Sequence, residues 1–382
     1  MSAEAAKPRV IFSVTNCICF DQRVMKIAET VRKLDCDITI IGRKLGDCCD
    51  SGSVPFKTKR FSMFFKRGFL FYKFFNIRLF FYLLCHKYDL LVSNDLDTLI
   101  PNFLVSKLKR LPLVFDSHEY FTGLPELNER PFVKSVWKTI EKRILPHLKS
   151  VMTVSDSIAG LYENEYNIQP LSVRNCSVSS EGIAAYSRKE LGLSEDHILL
   201  IFQGGGINID KGGEELVDAV SITEGVSLLI AGSGDVLPVL KQKVSVLNIG
   251  DRVKFVSKVP WEELMRYTKS ADAGMCLEKD TNLNYRFSLP NKLFDYISAG
   301  LPVIAGNLPE ISKLILANEC GIIIPAITPG EIQKAIVRLR DDRALMNKLK
   351  ENSVIASENL NWEKESLKVV EFYKRVLNER VH

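Results

Sequence analysis

No C-x-x-C pair occurs among the nine cysteines, which removes the usual start of a zinc or redox site. Cys17-Ile18-Cys19 and the adjacent Cys48-Cys49 have no second pair to complete a soft-metal site, so they read as buried or loop thiols. No metal is assigned, and an odd count of thiols suits a reducing cytosol. Nor does an apolar core of signal-peptide length follow the polar start Met1 to Lys7, so secretion by that route is not expected. Lys66, Arg67, Lys73 and Arg78 interrupt the most hydrophobic region, leaving no stretch of ~18 uncharged apolar residues and no expected membrane span. A strong charge imbalance is also missing. The formal net charge is +5 over 382 residues, without a zinc-finger, helix-turn-helix or RNA-binding signature, and nucleic acid is not an expected partner.

What is present fits a packed α/β protein. An apolar fraction of 46% with 25% charged residues excludes a disordered or collagen-like chain, and 382 residues suit two domains of ~100–200 residues each. Val10 to Val14, Ile38 to Ile41, Leu90 to Val92, Leu113 to Phe115 and Ser150 to Val154 read as short buried strands separated by helix-period segments. The pattern resumes at Ile198 to Phe202, Val226 to Ala231, Val253 to Val256, Ala273 to Leu277, Val303 to Ala305 and Gly321 to Ile324. Two Rossmann-like sheets follow, with domains expected at 1–175 and 176–360. The tail 361–382 repeats Trp362, Leu367, Val370, Phe372, Tyr373 and Val376 at helix spacing, and a final helix should pack back on the first domain.

Ligands of open parallel sheets sit beyond the carboxyl ends of strands, so the residues after each strand carry the chemistry. After Phe202 comes Gln203-Gly204-Gly205-Gly206-Ile207-Asn208-Ile209-Asp210-Lys211-Gly212-Gly213, where glycines admit close backbone approach and Lys211 supplies a positive charge. That combination suits a diphosphate. Its spacing is neither G-x-G-x-x-G nor Walker A, which argues against NAD and a P-loop. Ala231-Gly232-Ser233-Gly234 is a second close-approach turn. Ser288-Leu289-Pro290-Asn291 read as a helix cap whose amides hold phosphate, with Asp295 two turns in, within reach of ribose hydroxyls. In the first half, Asp116-Ser117-His118-Glu119 sets a histidine and two carboxylates at a strand end. Asp95-Leu96-Asp97 spells D-x-D but lies in the half without the phosphate cradle, so Asp95 faces an acceptor or caps the helix near Thr98. Asp21 and Arg23 follow the first strand; they meet the acceptor, or Asp21 caps a helix.

The run Gly204 to Lys211, the Gly232 turn, and Leu289-Pro290-Asn291-Lys292-Leu293-Phe294-Asp295-Tyr296 with Gly300-Leu301-Pro302-Val303-Ile304 together resemble glycosyltransferase family 4 over essentially the whole chain. Asp21-Gln22-Arg23-Val24, Asn94-Asp95-Leu96-Asp97, Asp116 to Phe121 and Val173-Arg174-Asn175 are similar to a subgroup from bacterial surface-polysaccharide pathways. The resemblance implies an α/β GT-B fold, two Rossmann-like domains facing each other across a cleft. It implies a retaining, metal-independent transfer from a nucleoside diphosphate sugar, used as substrate with no cofactor, to a saccharide or lipid-linked acceptor. Lys211, Gly204, Gly205, Gly232, Ser288, Leu289, Pro290 and Asn291 would hold the diphosphate, Asp295 the ribose, and backbone near Ser257-Lys258-Val259 the base. Asp21, Arg23 and Asp95 would face the acceptor, and His118, with Asp116 beside it, would touch the transferred sugar.

Two positions depart from the family pattern. Its first glutamate is Phe287 here, leaving Glu278 to supply the sugar contact, and its arginine is Gly205, leaving Arg286 as the substitute. The mixture of basic and aromatic residues from Lys57 to Arg78 suits an anionic membrane surface, and reads as a core helix alone or as a core helix with membrane contact. A cytoplasmic location is expected, peripheral at the inner face of the membrane where that contact is made. Two other readings stand beside the transferase: a non-catalytic sugar-nucleotide-binding partner of a membrane assembly, and a nucleotide-sugar epimerase of similar shape.

Overall fold

The computed structural model describes residues 7–18, 21–45 and 54–379. The chain divides into two units, Met1–Arg174 with Glu365–His382, and Asn175–Lys364.

The first unit is built on β1 (Arg9–Ser13), β2 (Asp37–Arg43), β3 (Lys57–Phe61), β4 (Leu90–Asn94), β5 (Leu113–Ser117), β6 (Ser150–Thr153) and β7 (Leu171–Ser172). They lie in the order β3-β2-β1-β4-β5-β6-β7, and every pairing is parallel. Helices covering both faces of such a sheet leave no wet side, which is why Val10-Ile11-Phe12 and Leu90-Leu91-Val92 are apolar without alternation and fully buried. The second sheet contains β8 (Ile198–Gly204), β9 (Val226–Gly232), β10 (Val253–Val256), β11 (Ala273–Cys276), β12 (Val303–Gly306) and β13 (Gly321–Ile324), in the order β10-β9-β8-β11-β12-β13, again all parallel. Each sheet therefore winds outward in both directions from its first strand. The order reverses between β1 and β4 and between β8 and β11, the switch points beside which open parallel sheets bind their ligands.

Two strands escape the sequence reading. β7 has only two residues. β3, Lys57-Thr58-Lys59-Arg60-Phe61, opens the basic aromatic segment and forms the sheet edge, where lysines discourage pairing with another chain. The helix proper is Gly68–Cys85. It buries Phe71, Phe75, Leu79 and Leu83, a single i, i+4 row, and leaves Phe69 72% and Phe81 58% exposed. By length and composition it is apolar enough to cross a membrane, despite Lys73 and Arg78.

The last helix, Trp362–Asn378, passes from the second unit into the first. Val369, Phe372, Tyr373 and Val376 are buried along it. The Glu365 carboxylate accepts from the backbone N–H of Arg174 at 2.9 Å and from its guanidinium at 3.1 Å. Cys36, Cys85, Cys276 and Cys320 are thiols outside any disulfide, whereas Cys17 is disulfide-bonded, which departs from the expected reduced thiols. Cys19, Cys48 and Cys49 lie outside the described residues.

Candidate functional site

In the second unit the β8 turn and the β9 turn interlock through backbone. Gly204 pairs with Gly232, whose φ of 135° is open to glycine, and a Cβ on Gly232 would lie 1.9 Å from the Gly204 carbonyl oxygen. Ile207 N–H donates to the Ser233 carbonyl at 2.8 Å, and Ser233 N–H donates to the Gly204 carbonyl at 3.1 Å. A Cβ on Gly205, by contrast, would meet nothing within 4 Å, so a side chain fits there and packing does not dictate the missing arginine.

Lys211 follows this turn. Its ammonium lies 3.8 Å from the centre of the Tyr285 ring and 3.7 Å from Glu278 Oε1. Glu278, just beyond β11, is 1% exposed, and its same oxygen is 3.0 Å from the Lys292 ammonium. Burial works against the Glu278 charge, but Lys292 and Lys211 outweigh it and hold the carboxyl down to about 2. Cys276 Sγ donates to the other oxygen at 3.2 Å, and burial and that carboxylate push the thiol well above its ordinary range. Lys292 stands in the first turn of the helix Asn291–Ser298, whose N-cap, Pro290, supplies no side-chain hydrogen bond.

Several expected donor residues are placed differently. The Asp295 carboxylate is 4% exposed and already accepts hydrogen bonds from Ser177 Oγ, from Trp261 Nε1 at 3.0 Å and from Gln203 Nε2 at 3.0 Å. It ties the helix to the end of β8 instead of standing open for a ribose. Leu289 packs in the apolar core. Arg286, the expected substitute for the missing arginine, is half-exposed and lies 3.5 Å from Asp280. Lys258 is exposed beyond β10, and Ser288 Oγ donates to the Tyr285 carbonyl at 3.3 Å.

The first unit gathers its own cluster at the ends of β4 and β5, where the register sets Asn94 beside Asp116. Asp116 is fully buried and receives Arg23 Nε at 3.0 Å and Nη2 at 2.7 Å, while Arg23 Nη1 donates to the Val173 carbonyl at 2.7 Å. Arg23 is 2% exposed, so the expectation that it meets the acceptor is corrected: the guanidinium and Asp116 form a brace beneath the site. Asp21 caps the helix Gln22–Arg32 by accepting from Val24 N–H, the capping alternative.

His118 lies above this brace, with Nδ1 3.4 Å from Asp95 and 4.0 Å from Asp21, and Nε2 3.4 Å from Asp116. Burial opposes its charge, yet Asp95, Asp21 and Asp116 prevail and raise it from 6.5 to about 10. Asp95 accepts from the His118 backbone N–H at 2.8 Å and makes no side-chain cap, which settles its alternative against capping. Its backbone holds φ 58° and ψ 169°, a conformation strained for a residue with a Cβ and characteristic of functional turns. Asp97 turns away to accept from Thr15 Oγ1, and burial raises it to about 7. The two carboxylates of the D-x-D thus serve different partners.

Sequence reasoning passed over Lys292, Gln203, Ser177 and Trp261. Gln203 left a signal, a polar residue at the buried end of a central strand; the others are joined to the site by tertiary contacts alone.

The family model described as Glycosyltransferase Family 4 matches residues 22–201, and that described as Glycosyl transferases group 1 matches residues 186–354. The chain belongs to the glycosyltransferases. An uncharacterized glycosyltransferase of Methanocaldococcus jannaschii is 23% identical over 251 residues, 63% of this chain and 62% of that one. The chain thus spans less than two thirds of that curated relative. Sucrose-phosphate synthase from Thermosynechococcus elongatus superposes with a TM-score of 0.80 at 18% identity, covering 98% of this chain and all of the other. HepE from Anabaena, solved with UDP and glucose, gives 0.73 at 15% identity, covering 96% of this chain and 100% of that one. This glycosyltransferase accordingly has the α/β GT-B fold.

Proposed function

We propose that this glycosyltransferase moves a sugar from a nucleoside diphosphate sugar to a saccharide or lipid-linked saccharide acceptor in cell-surface polysaccharide synthesis, with retention at the anomeric carbon and no obligate metal. The observation that carries the reading is the convergence of Lys211 on Glu278 at the ends of β8 and β11, beside the helix start at Asn291. Positive groups and backbone amides there offset the charge that builds on a departing diphosphate, a term that commonly dominates such transfers. Glu278 supplies the sugar contact in place of the glutamate replaced by Phe287. The UDP seen in HepE belongs to a protein of the same fold and motivates the choice of ligands to test.

The acceptor half falls to the first unit, where Asp95 and His118 offer a carboxylate and an imidazolium at a strained strand end. A membrane-borne acceptor suits the helix Gly68–Cys85. Phe64, Phe69 and Phe81 are largely exposed, and Lys66 and Lys73 are exposed beside them. We place the protein at the cytoplasmic face of an anionic membrane on that ground.

The experiment is calorimetric titration with UDP, GDP and ADP without metal, on the wild type and Lys211→Ala, followed by product analysis. Binding of one nucleotide, weakened tenfold or more in the variant, together with extension of an acceptor, supports the proposal. The occupied Asp295 carboxylate favours a second reading, a sugar-nucleotide-binding protein without transfer. Binding with no product from any acceptor selects it, conversion of free donor selects an epimerase, and no binding removes the donor site altogether.

A further inference from the structure

Lys292 breaks a local rule. It occupies the first turn of the helix Asn291–Ser298, where the helix dipole disfavours a cation, and it is only 8% exposed. Burial of an ammonium is costly, and a helix start is the wrong place for one, unless an anion is received there. The carboxylate of Glu278, 3.0 Å away, offsets part of this. Yet one ammonium suffices to neutralise one carboxylate, and Lys211 lies 3.7 Å from the same oxygen. Two cations reach one anchoring oxygen from two different elements, the turn after β8 and the helix after β11. Meanwhile the place of the family's arginine, Gly205, stands open, and Arg286 points to Asp280.

We infer that Lys292 is the second phosphate-binding cation of this enzyme, taking over from the missing arginine, with Glu278 holding Lys292 and Lys211 apart and aimed at the donor's diphosphate. The inference rests on the donor-site reading above. Broken rules of local preference gather at functional sites, and here the helix amides and the misplaced lysine call for the same ligand, an anion. Aromatic contact fixes the lysine further, because its ammonium lies 4.6 Å from the centre of the Phe202 ring.

The test is a double-mutant cycle read by calorimetry with UDP, GDP and ADP and with the matching monophosphates, on the wild type, Lys292→Met, Glu278→Gln and the double variant. A role in phosphate binding predicts that Lys292→Met weakens the diphosphate tenfold or more and the monophosphate less than threefold, and that Glu278→Gln, which loosens the anchor of the lysine, gives part of the same selective loss. Lys292→Arg should keep at least a third of the affinity. If Lys292→Met weakens the diphosphate and the monophosphate alike, the lysine serves only to balance that carboxylate and the inference is overturned. Unchanged affinity in Lys292→Met overturns it too, while the donor-site reading survives. A wild type that binds none of the three diphosphates removes both. The double variant, which removes the buried Lys292–Glu278 pair together and leaves Lys211 on the Tyr285 ring, keeps the question answerable where Lys292→Met alone unfolds.

Discussion

His118 carries a charge that the surrounding fold both opposes and demands. Desolvation resists the imidazolium, while Asp95 and Asp21 on one nitrogen and Asp116 on the other enforce it. The sign of the resulting pH dependence follows from linkage. A histidine raised from 6.5 to about 10 contributes stability that is complete below pH 6.5 and is lost as pH rises towards 10. Burial also raises two neighbouring carboxyls, Asp97 from 3.8 to about 7 and Asp95 to about 8; both lose stability in the same direction as pH rises, so the interval above pH 8 belongs mainly to His118. His118→Gln should therefore cost most near pH 6 and progressively less towards pH 10, the gap closing by at least about 1 kcal/mol. Hydrogen exchange of the β4 and β5 amides in both proteins measures this locally, and a gap that does not vary with pH would mean a neutral ring. At this scale the sequence was half legible. Histidine at a strand end pointed to a site, but the depth of Arg23 did not show, because its partners Asp116 and Val173 lie 93 and 150 residues away in the chain.

Among elements, apolar runs in long buried strands were readable because both faces of a parallel sheet are covered and no alternation competes with the signal. β3 was not, because an edge strand admits lysines that otherwise read as a solvated segment. The neighbouring helix Gly68–Cys85 shows why aromatic richness alone could not decide between core and membrane. One row, Phe71, Phe75, Leu79 and Leu83, satisfies the core, and Phe69, Phe74 and Phe81 are additional to it. If those rings and the adjacent ammoniums meet lipid, each lysine near an anionic surface adds about 1 kcal/mol. Lys66→Glu with Lys73→Glu should then weaken flotation with phosphatidylglycerol vesicles by more than about tenfold and leave nucleotide binding unaltered, since both side chains are exposed on the first unit. Equal flotation of wild type and variant, or a preference for neutral vesicles, would reject the lipid assignment. Added salt should reproduce the effect of the charge reversal.

At the scale of the whole molecule, the chain leaves the first unit at Arg174 and re-enters it at Glu365. The apolar period of the tail foretold a docked helix. It could not foretell what fixes the start of that helix in place, since Glu365 reads as one solvated acid among many. In the fold it is 2% exposed, and it satisfies the backbone N–H and the guanidinium of Arg174 together with the Lys368 ammonium. Those pairings hold its carboxyl below the ordinary range against the opposing effect of burial. Loss of that carboxylate leaves a buried N–H without its acceptor, a cost of about 1–3 kcal/mol. Downstream, the buried Tyr373 is near enough to feel the charges of Asp116 and Arg23, so loosening the helix should reach the brace under His118. Glu365→Ala should therefore lower hydrogen-exchange protection in β1, β4 and β5 while β8, β9 and β11 keep theirs, and nucleotide affinity in the second unit should stay within about twofold. Uniform loss of protection across both sheets would show instead that the two units unfold as one, and that Glu365 stabilises the molecule rather than the first unit.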